Sequence, residues 1–382
     1  MAFNLKALGD KLSCYRNQFQ YSLADVASST GIAEAELKEI EDGNRRPSGD
    51  EILILADFYK CDYKFFLSNE KLASFEQTET LFRAYGNDFS KHDRWSVQEC
   101  LFLAECEAYL ERALHKQSKD SFSFNKVGDH FKTHGKQAAK LLRTHLKYSE
   151  KEVSMNIYND MRRLGIRVFR RKLENSNISG LYIKHPVAGR CVLINYSEDV
   201  YRQRFTAAHE MAHAILDNED DSLVSFTWDK TNLKEVRANT FASAYLLPPE
   251  AIIKIPDYQC WTHEKAIEWA NKFKVSAQVL AISLSENRLI NRAAYSEILK
   301  AKVPKEFKVD PELPDSIPAR SKERKRMLLE HGLSGYYVAL CFEAYREHVV
   351  SASRLVEILL LESDNQLIEL AKLYGESINY AS

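Results

Sequence analysis

No apolar run in this chain approaches the roughly 18 residues of a membrane span, which excludes a helical channel or transporter. The first ten residues, Met1 to Asp10, hold no apolar signal core, so the sequence predicts a cytoplasmic protein with no membrane partner. The seven cysteines are scattered, odd in number and never paired as C-x-x-C. They exclude a disulfide framework and a cysteine-built metal knot, and read as apolar thiols in a reducing compartment. Charge of one sign is missing too: 53 Lys and Arg stand against 54 Asp and Glu, and nothing global marks a nucleic-acid binder. Glycine (13) and proline (9) are sparse, and neither occurs between residues 190 and 247, which leaves room there for uninterrupted helices.

What is present is apolar content of 45%, with 11% aromatics, ample for globular packing. A chain of 382 residues is too long for one core, so two or three domains are expected. The most informative segment is His209-Glu210-Met211-Ala212-His213, an H-E-x-x-H. On a helix, imidazoles four residues apart leave from one face and can share a metal ion, with the glutamate placed to take a proton from water. Tyr201, Phe205, Ala208, Ala212 and Leu216 recur at helical spacing around it, so a half-buried helix is predicted. A pair of packed core histidines is the alternative reading.

Two histidines do not complete a catalytic zinc site, which needs a third protein ligand and an open position. Downstream, Glu235 opens another predicted helix, with Ala238, Phe241, Ala242 and Tyr245 turned inward and Pro248 ending it. Glu235 is the best candidate for that ligand, although on composition alone it reads more simply as a solvated helix-start glutamate. Asn239, one turn later on the same face, is a candidate to hydrogen-bond a ligating imidazole from behind. Tyr182, Tyr196, Tyr245 and His263 are unranked candidates for an oxyanion donor. Beyond the histidines, Asp217 to Asp221 is acidic; it reads as a solvated turn or as a rim attracting a basic substrate.

The rest of the chain divides by composition. Residues 1–68 read as a small helical unit with a helix, a turn at Gly31 and a second helix from about Ala33 to Glu41, followed by the pair Arg45-Arg46. Residues 69–124 read as a helical connector, 125–290 as the domain holding the H-E-x-x-H, and 291–382 as a proline-marked linker and helical module. Three short strands are predicted at Ile166–Arg170, Gly180–Ile183 and Cys191–Asn195; an edge strand beside a metal can hold an extended peptide by its main chain. Lys136, Lys140, Arg143 and Lys147 fall on one helix face, either solvated or facing an anionic partner.

Two resemblances organise these observations. The stretch from Ser22 through Gly31-Ile32 to Gly43-Asn-Arg-Arg-Pro47-Ser48 resembles the XRE (Cro/phage-repressor-like) helix-turn-helix family. Within it, Lys38, Arg45 and Arg46 are the candidate nucleic-acid contacts. The matched recognition helix also carries Glu34, Glu36, Glu39 and Glu41, and residues 1–68 hold 8 Lys and Arg against 11 Asp and Glu, which opposes DNA binding. From about 135 to 290 the chain resembles the ImmA/IrrE metallopeptidases, carried by Arg202-Gln-Arg-Phe205-Thr206-Ala-Ala-His209-Glu210-Met-Ala-His213, Glu235-x-x-Ala238-Asn239-x-Phe241-Ala242 and Leu246-Leu247-Pro248. That resemblance implies Zn2+ held by His209, His213 and Glu235, with Glu210 as general base and acid. With the XRE resemblance and the helical periodicity of the tail, the expected fold is α+β and mostly helical: a five-helix helix-turn-helix domain, a zincin-like domain with a small sheet, and a helical C-terminal module. The implied activity is cleavage of a partner protein, a transcriptional repressor encoded nearby, in a stress-response, mobile-element or defence setting. A homodimer is compatible with the sequence. The alternative function is a non-enzymatic regulator or antitoxin-like protein whose zinc fold acts as a sensor.

Overall fold

A computed structural model of the chain describes residues 4–61, 63–68, 81, 88–118, 122–125, 130–217, 222–226, 232–258 and 260–378. It is α+β and mostly helical, with one four-stranded sheet among the described residues. The fold divides into two compact units. One comprises residues 1–105 with 173–175 and 185–187; the other comprises 106–172, 176–184 and 188–382.

In the first unit, α1 (Leu5–Gln18), α2 (Leu23–Thr30), α3 (Glu34–Glu41), α4 (Gly49–Phe58) and α5 (Tyr63–Leu67) enclose a core that includes Leu12, Tyr15, Phe19, Leu37, Ile40, Leu55 and Phe66. Local chemistry sets the boundaries. Ser22 and Asp25 form a reciprocal capping box at the start of α2, and Ser48 and Glu51 form one at α4. Gly31 closes α2 in the left-handed region (φ +73°), which a side chain would disfavour. The helix α6 (Lys91–Ala113) begins in this unit.

The second unit is built from α7 (Phe131–His145), α8 (Ile157–Arg163), β1 (Arg167–Arg171), β2 (Ile178–His185), β3 (Gly189–Asn195), α9 (Val200–Leu216), β4 (Ser222–Phe226) and α10 (Leu233–Leu246). Next come the short α11 (Pro249–Ile252), then α12 (His263–Phe273), α13 (Ala277–Glu286) and α14 (Arg292–Lys300), and finally α15 (Ala319–Glu330), α16 (Gly335–Arg346), α17 (Ala352–Ile358) and α18 (Asp364–Tyr374). The three predicted strands are present: β1 has the expected length shifted by one residue, while β2 and β3 are longer than expected. The sheet order is β1-β3-β2-β4, with β1 parallel to β3 and β2 antiparallel to β4. The edge strand β4 is an addition to the sequence reading. Both faces of β2 and β3 are largely buried, which explains their near-continuous apolar runs.

Two features correct the sequence reading. Arg143 is not part of a solvated basic face: it is 5% exposed and donates to the carbonyls of Tyr245 (3.0 Å), Ser149 (3.2 Å) and Glu152. Lys136 lies 3.6 Å from Glu286, so of the four basic residues on that face one is buried and one is ion-paired. The proline-marked segment near 310 is also anchored. Arg170 on β1 is buried and binds Asp310 (2.6 and 3.1 Å) and Glu312 (2.7 Å), and Arg162 reaches Glu312 at 2.9 Å.

Candidate metal centre

The helix α9 carries the H-E-x-x-H, and its placement is over-determined. Asp199 caps it by accepting from the Tyr201 amide at 3.0 Å. On its far side Arg204, 1% exposed, donates to the carbonyls of Ser154 (2.7 Å), Met155 (2.7 Å) and Lys274 (3.1 Å). Burial lowers the pKa of that guanidinium, and three carbonyl dipoles stand in for its lost water. The second contributing helix, α10, starts at the cap Asn232 and packs on α9. It is pressed from behind by α7, where Gly135 makes the approach possible: a Cβ there would stand 2.6 Å from the Arg237 carbonyl oxygen.

These helices bring His209, His213 and Glu235 together, with one donor atom of each within 4.8 Å of the others. The two Nε2 atoms are 3.1 Å apart. Glu235 Oε2 lies 3.0 Å from Nε2 of His209, and its Oε1 lies 3.1 Å from Nε2 of His213. Asn239 Oδ1 is 3.0 Å from Nδ1 of His209, as the i, i+4 spacing from Glu235 suggests. On the other imidazole, Nδ1 of His213 faces Asp217 Oδ2 at 2.9 Å. Oxygen acceptors behind both rings require Nδ1–H, which leaves both Nε2 lone pairs aimed at the cluster.

That geometry fits a cation. Lone pairs of two imidazoles and a carboxylate converge at about 3 Å and repel one another unless positive charge lies among them. Ligands about 2.0–2.1 Å from a tetrahedral zinc stand roughly 3.3 Å apart, close to the separations here. The electrostatics point the same way. Burial disfavours a charged His213, yet hydrogen bonds to Asp217 and Glu235, with Glu210 nearby, carry it up to about 10. Burial would raise Glu235, but the two imidazoles outweigh it and hold the carboxyl well below its ordinary range. The donor set, two histidines and one glutamate, matches one of the ligand sets that catalytic zinc takes.

Glu210 is fully buried beside the cluster. It is met by β2 at Gly180, where a Cβ would lie 2.9 Å from Glu210 Oε1 and 2.8 Å from Thr206 Cγ2. Pairing between β2 and β4 shifts register between Ile178 and Gly180, a bulge at the point of contact. The four oxyanion candidates fall on separate segments. Tyr245 gives its hydroxyl to Asp160 at 2.9 Å, Tyr196 lies with its ring 5.3 Å from the Arg170 guanidinium, and His263 begins α12; Tyr182 is buried on β2.

Asp217, read from sequence as part of a solvated acidic turn, is 3% exposed and turned to His213 and Arg237. The remaining acidic residues 218–221 lie outside the described residues. The sequence reading missed Asp217 and Arg237 at the site; the only available signal was the i, i+4 step from His213 to Asp217. The nucleic-acid candidates lie in the other unit. Lys38 and Arg46 are exposed, whereas Arg45 is held by Glu51 at 2.9 Å and Glu36 at 3.6 Å.

The chain is 34% identical over 100 residues to the radiation response metalloprotease IrrE of Deinococcus radiodurans, a match covering 25% of this chain and 30% of that protein. The shared part is thus less than a third of the relative's length. Residues 161–285, which contain the sheet and both helices of the cluster, match the model of the IrrE N-terminal-like domain, a peptidase family.

Proposed function

We propose that this protein is a zinc-dependent endopeptidase acting on a partner regulatory protein, with His209, His213 and Glu235 as metal ligands and Glu210 as the proton-transferring base. The convergence of the three donors beside a buried Glu210 is the observation that carries the reading. A zinc ion held there would supply Lewis acidity, lowering the pKa of a water and polarising the scissile carbonyl. Glu210 takes the proton of the attacking water and returns it to the leaving amine, so one carboxylate serves as base and then acid. Asn239 and Asp217 hold the two imidazoles in the tautomer that leaves Nε2 available. Gly180 gives Glu210 its space. Among the described residues β4 is an edge of the sheet, and an edge strand is where an extended substrate segment can pair by its main chain.

The substrate class is a transcriptional repressor encoded beside this protein, and the setting is a stress response, a mobile element or defence. The first unit serves as an XRE-type module for contact with that partner rather than as a DNA reader, because its candidate recognition helix is acidic and Arg45 is already paired. Incubation with the proteins encoded alongside, followed by intact-mass measurement, tests the reading. One candidate should be cut into two defined fragments, and a chelator should stop the cut. Cutting that persists undiminished with zinc removed would reject it.

A further inference from the structure

Asp217 occupies an electrostatically poor position. It ends α9, where a carboxylate meets the negative end of the helix dipole, and at 3% exposure it has lost its water. Two groups compensate. One oxygen faces Nδ1 of His213 at 2.9 Å. The other accepts a charge-assisted hydrogen bond from Nη2 of Arg237. Arg237 is equally buried at 3%, sits two residues after Glu235 on α10, and lies 5.3 Å from the ring of Phe131. The pair therefore joins the two helices that supply the cluster, directly behind one of its imidazoles.

We infer that Asp217 and Arg237 are a positioning pair for His213, in which Asp217 fixes the ring's tautomer and direction and Arg237 acts only through Asp217. This rests on the zinc reading proposed above. The two imidazoles are then held differently: His209 by the neutral amide of Asn239, His213 by a carboxylate with its own counter-charge. A carboxylate behind an imidazole strengthens it as a donor, and loss of such a partner costs about 10–100-fold in metal affinity. Arg237 keeps that carboxylate in line and balances its buried charge.

The test is zinc affinity of the full-length chain, measured by competition with a chromogenic chelator at one pH, with circular dichroism to verify folding. Asp217→Asn and Arg237→Gln should each weaken zinc binding about 10–100-fold, while Arg237→Lys should remain near the parent protein. The double variant Asp217→Asn/Arg237→Gln leaves neither charge buried alone, which favours folding, and should bind zinc no more weakly than Asp217→Asn. An Asp217→Asn protein with unchanged affinity would overturn the inference. So would a double variant showing the product of the two single losses, since Arg237 would then act independently. A parent protein that binds no zinc would instead defeat the zinc reading itself.

Discussion

Gly180 shows how little space surrounds the proposed base. It sits at a register shift in β2, and a methyl group there would press on both Glu210 Oε1 and Thr206 Cγ2. Gly180→Ala should displace the Glu210 carboxylate while leaving the three metal donors alone. Misplacement of a reacting group on the ångström scale lowers turnover by about 10–100-fold. Paired measurements of zinc content and cleavage rate check this; an alanine variant with full activity would show that Glu210 tolerates movement. At this scale the sequence was informative wherever partners share a helix. His209, Glu210 and His213 follow from one motif, and Glu235 and Asn239 from one turn of α10. Asp217 and Arg237 were not legible. Their contact joins two helices 20 residues apart in sequence, and an aspartate followed by Asn-Glu-Asp-Asp has the composition of a solvated turn.

Among elements, helices were read more securely than strands because their signals are local. The capping boxes at Ser22 and Ser48, the left-handed Gly31 and the inward spacing of α9 all reside in the segment they define. The strand β4 depends instead on pairing with β2, some forty residues upstream. The same limit hid the inward turn of Arg143, whose carbonyl partners come from other segments. One buried group gives an element-level prediction. Glu107 on α6 is raised to about 7, first by burial and then by the charge of Glu111, despite Arg162 and Arg167 nearby. Its folded-state pKa lies above its ordinary 4.5, so its stabilising contribution is complete below that value and is lost as pH rises through about 7. Glu107→Gln should therefore melt close to the parent protein at pH 5 but above it at pH 8.5. The difference approaches the order of 3 kcal/mol from a shift of this size. Thermal denaturation at the two pH values checks it, and equal melting temperatures at pH 8.5 would contradict it.

On the scale of the whole molecule, the two units carry separate expectations. The first holds helices α1 to α5 over the stretch read as XRE-like, but its charge opposes DNA: residues 1–68 are net acidic, and Arg45 is engaged by two glutamates. At physiological salt it should show no sequence-specific DNA affinity by footprinting or fluorescence anisotropy. A nanomolar footprint lost on substituting Arg45 and Arg46 would reverse that assignment. The second unit contains residues 161–285, which match the peptidase model, and three strands of its sheet and helices α9 and α10 were foreseeable because several motif blocks fall in one stretch. The anchoring of the segment near 310 through Arg170 was not, since an ion pair 140 residues apart leaves no local trace. The central claim is that the H-E-x-x-H cluster binds zinc and that Glu210 performs the proton transfer. The direct measurement compares Glu210→Gln with the parent protein for bound zinc and for cleavage of the neighbouring regulator. The account predicts one zinc per chain in both, with cleavage lowered about 100-fold or more in the variant. A variant that holds zinc and still cuts at the parental rate would contradict it.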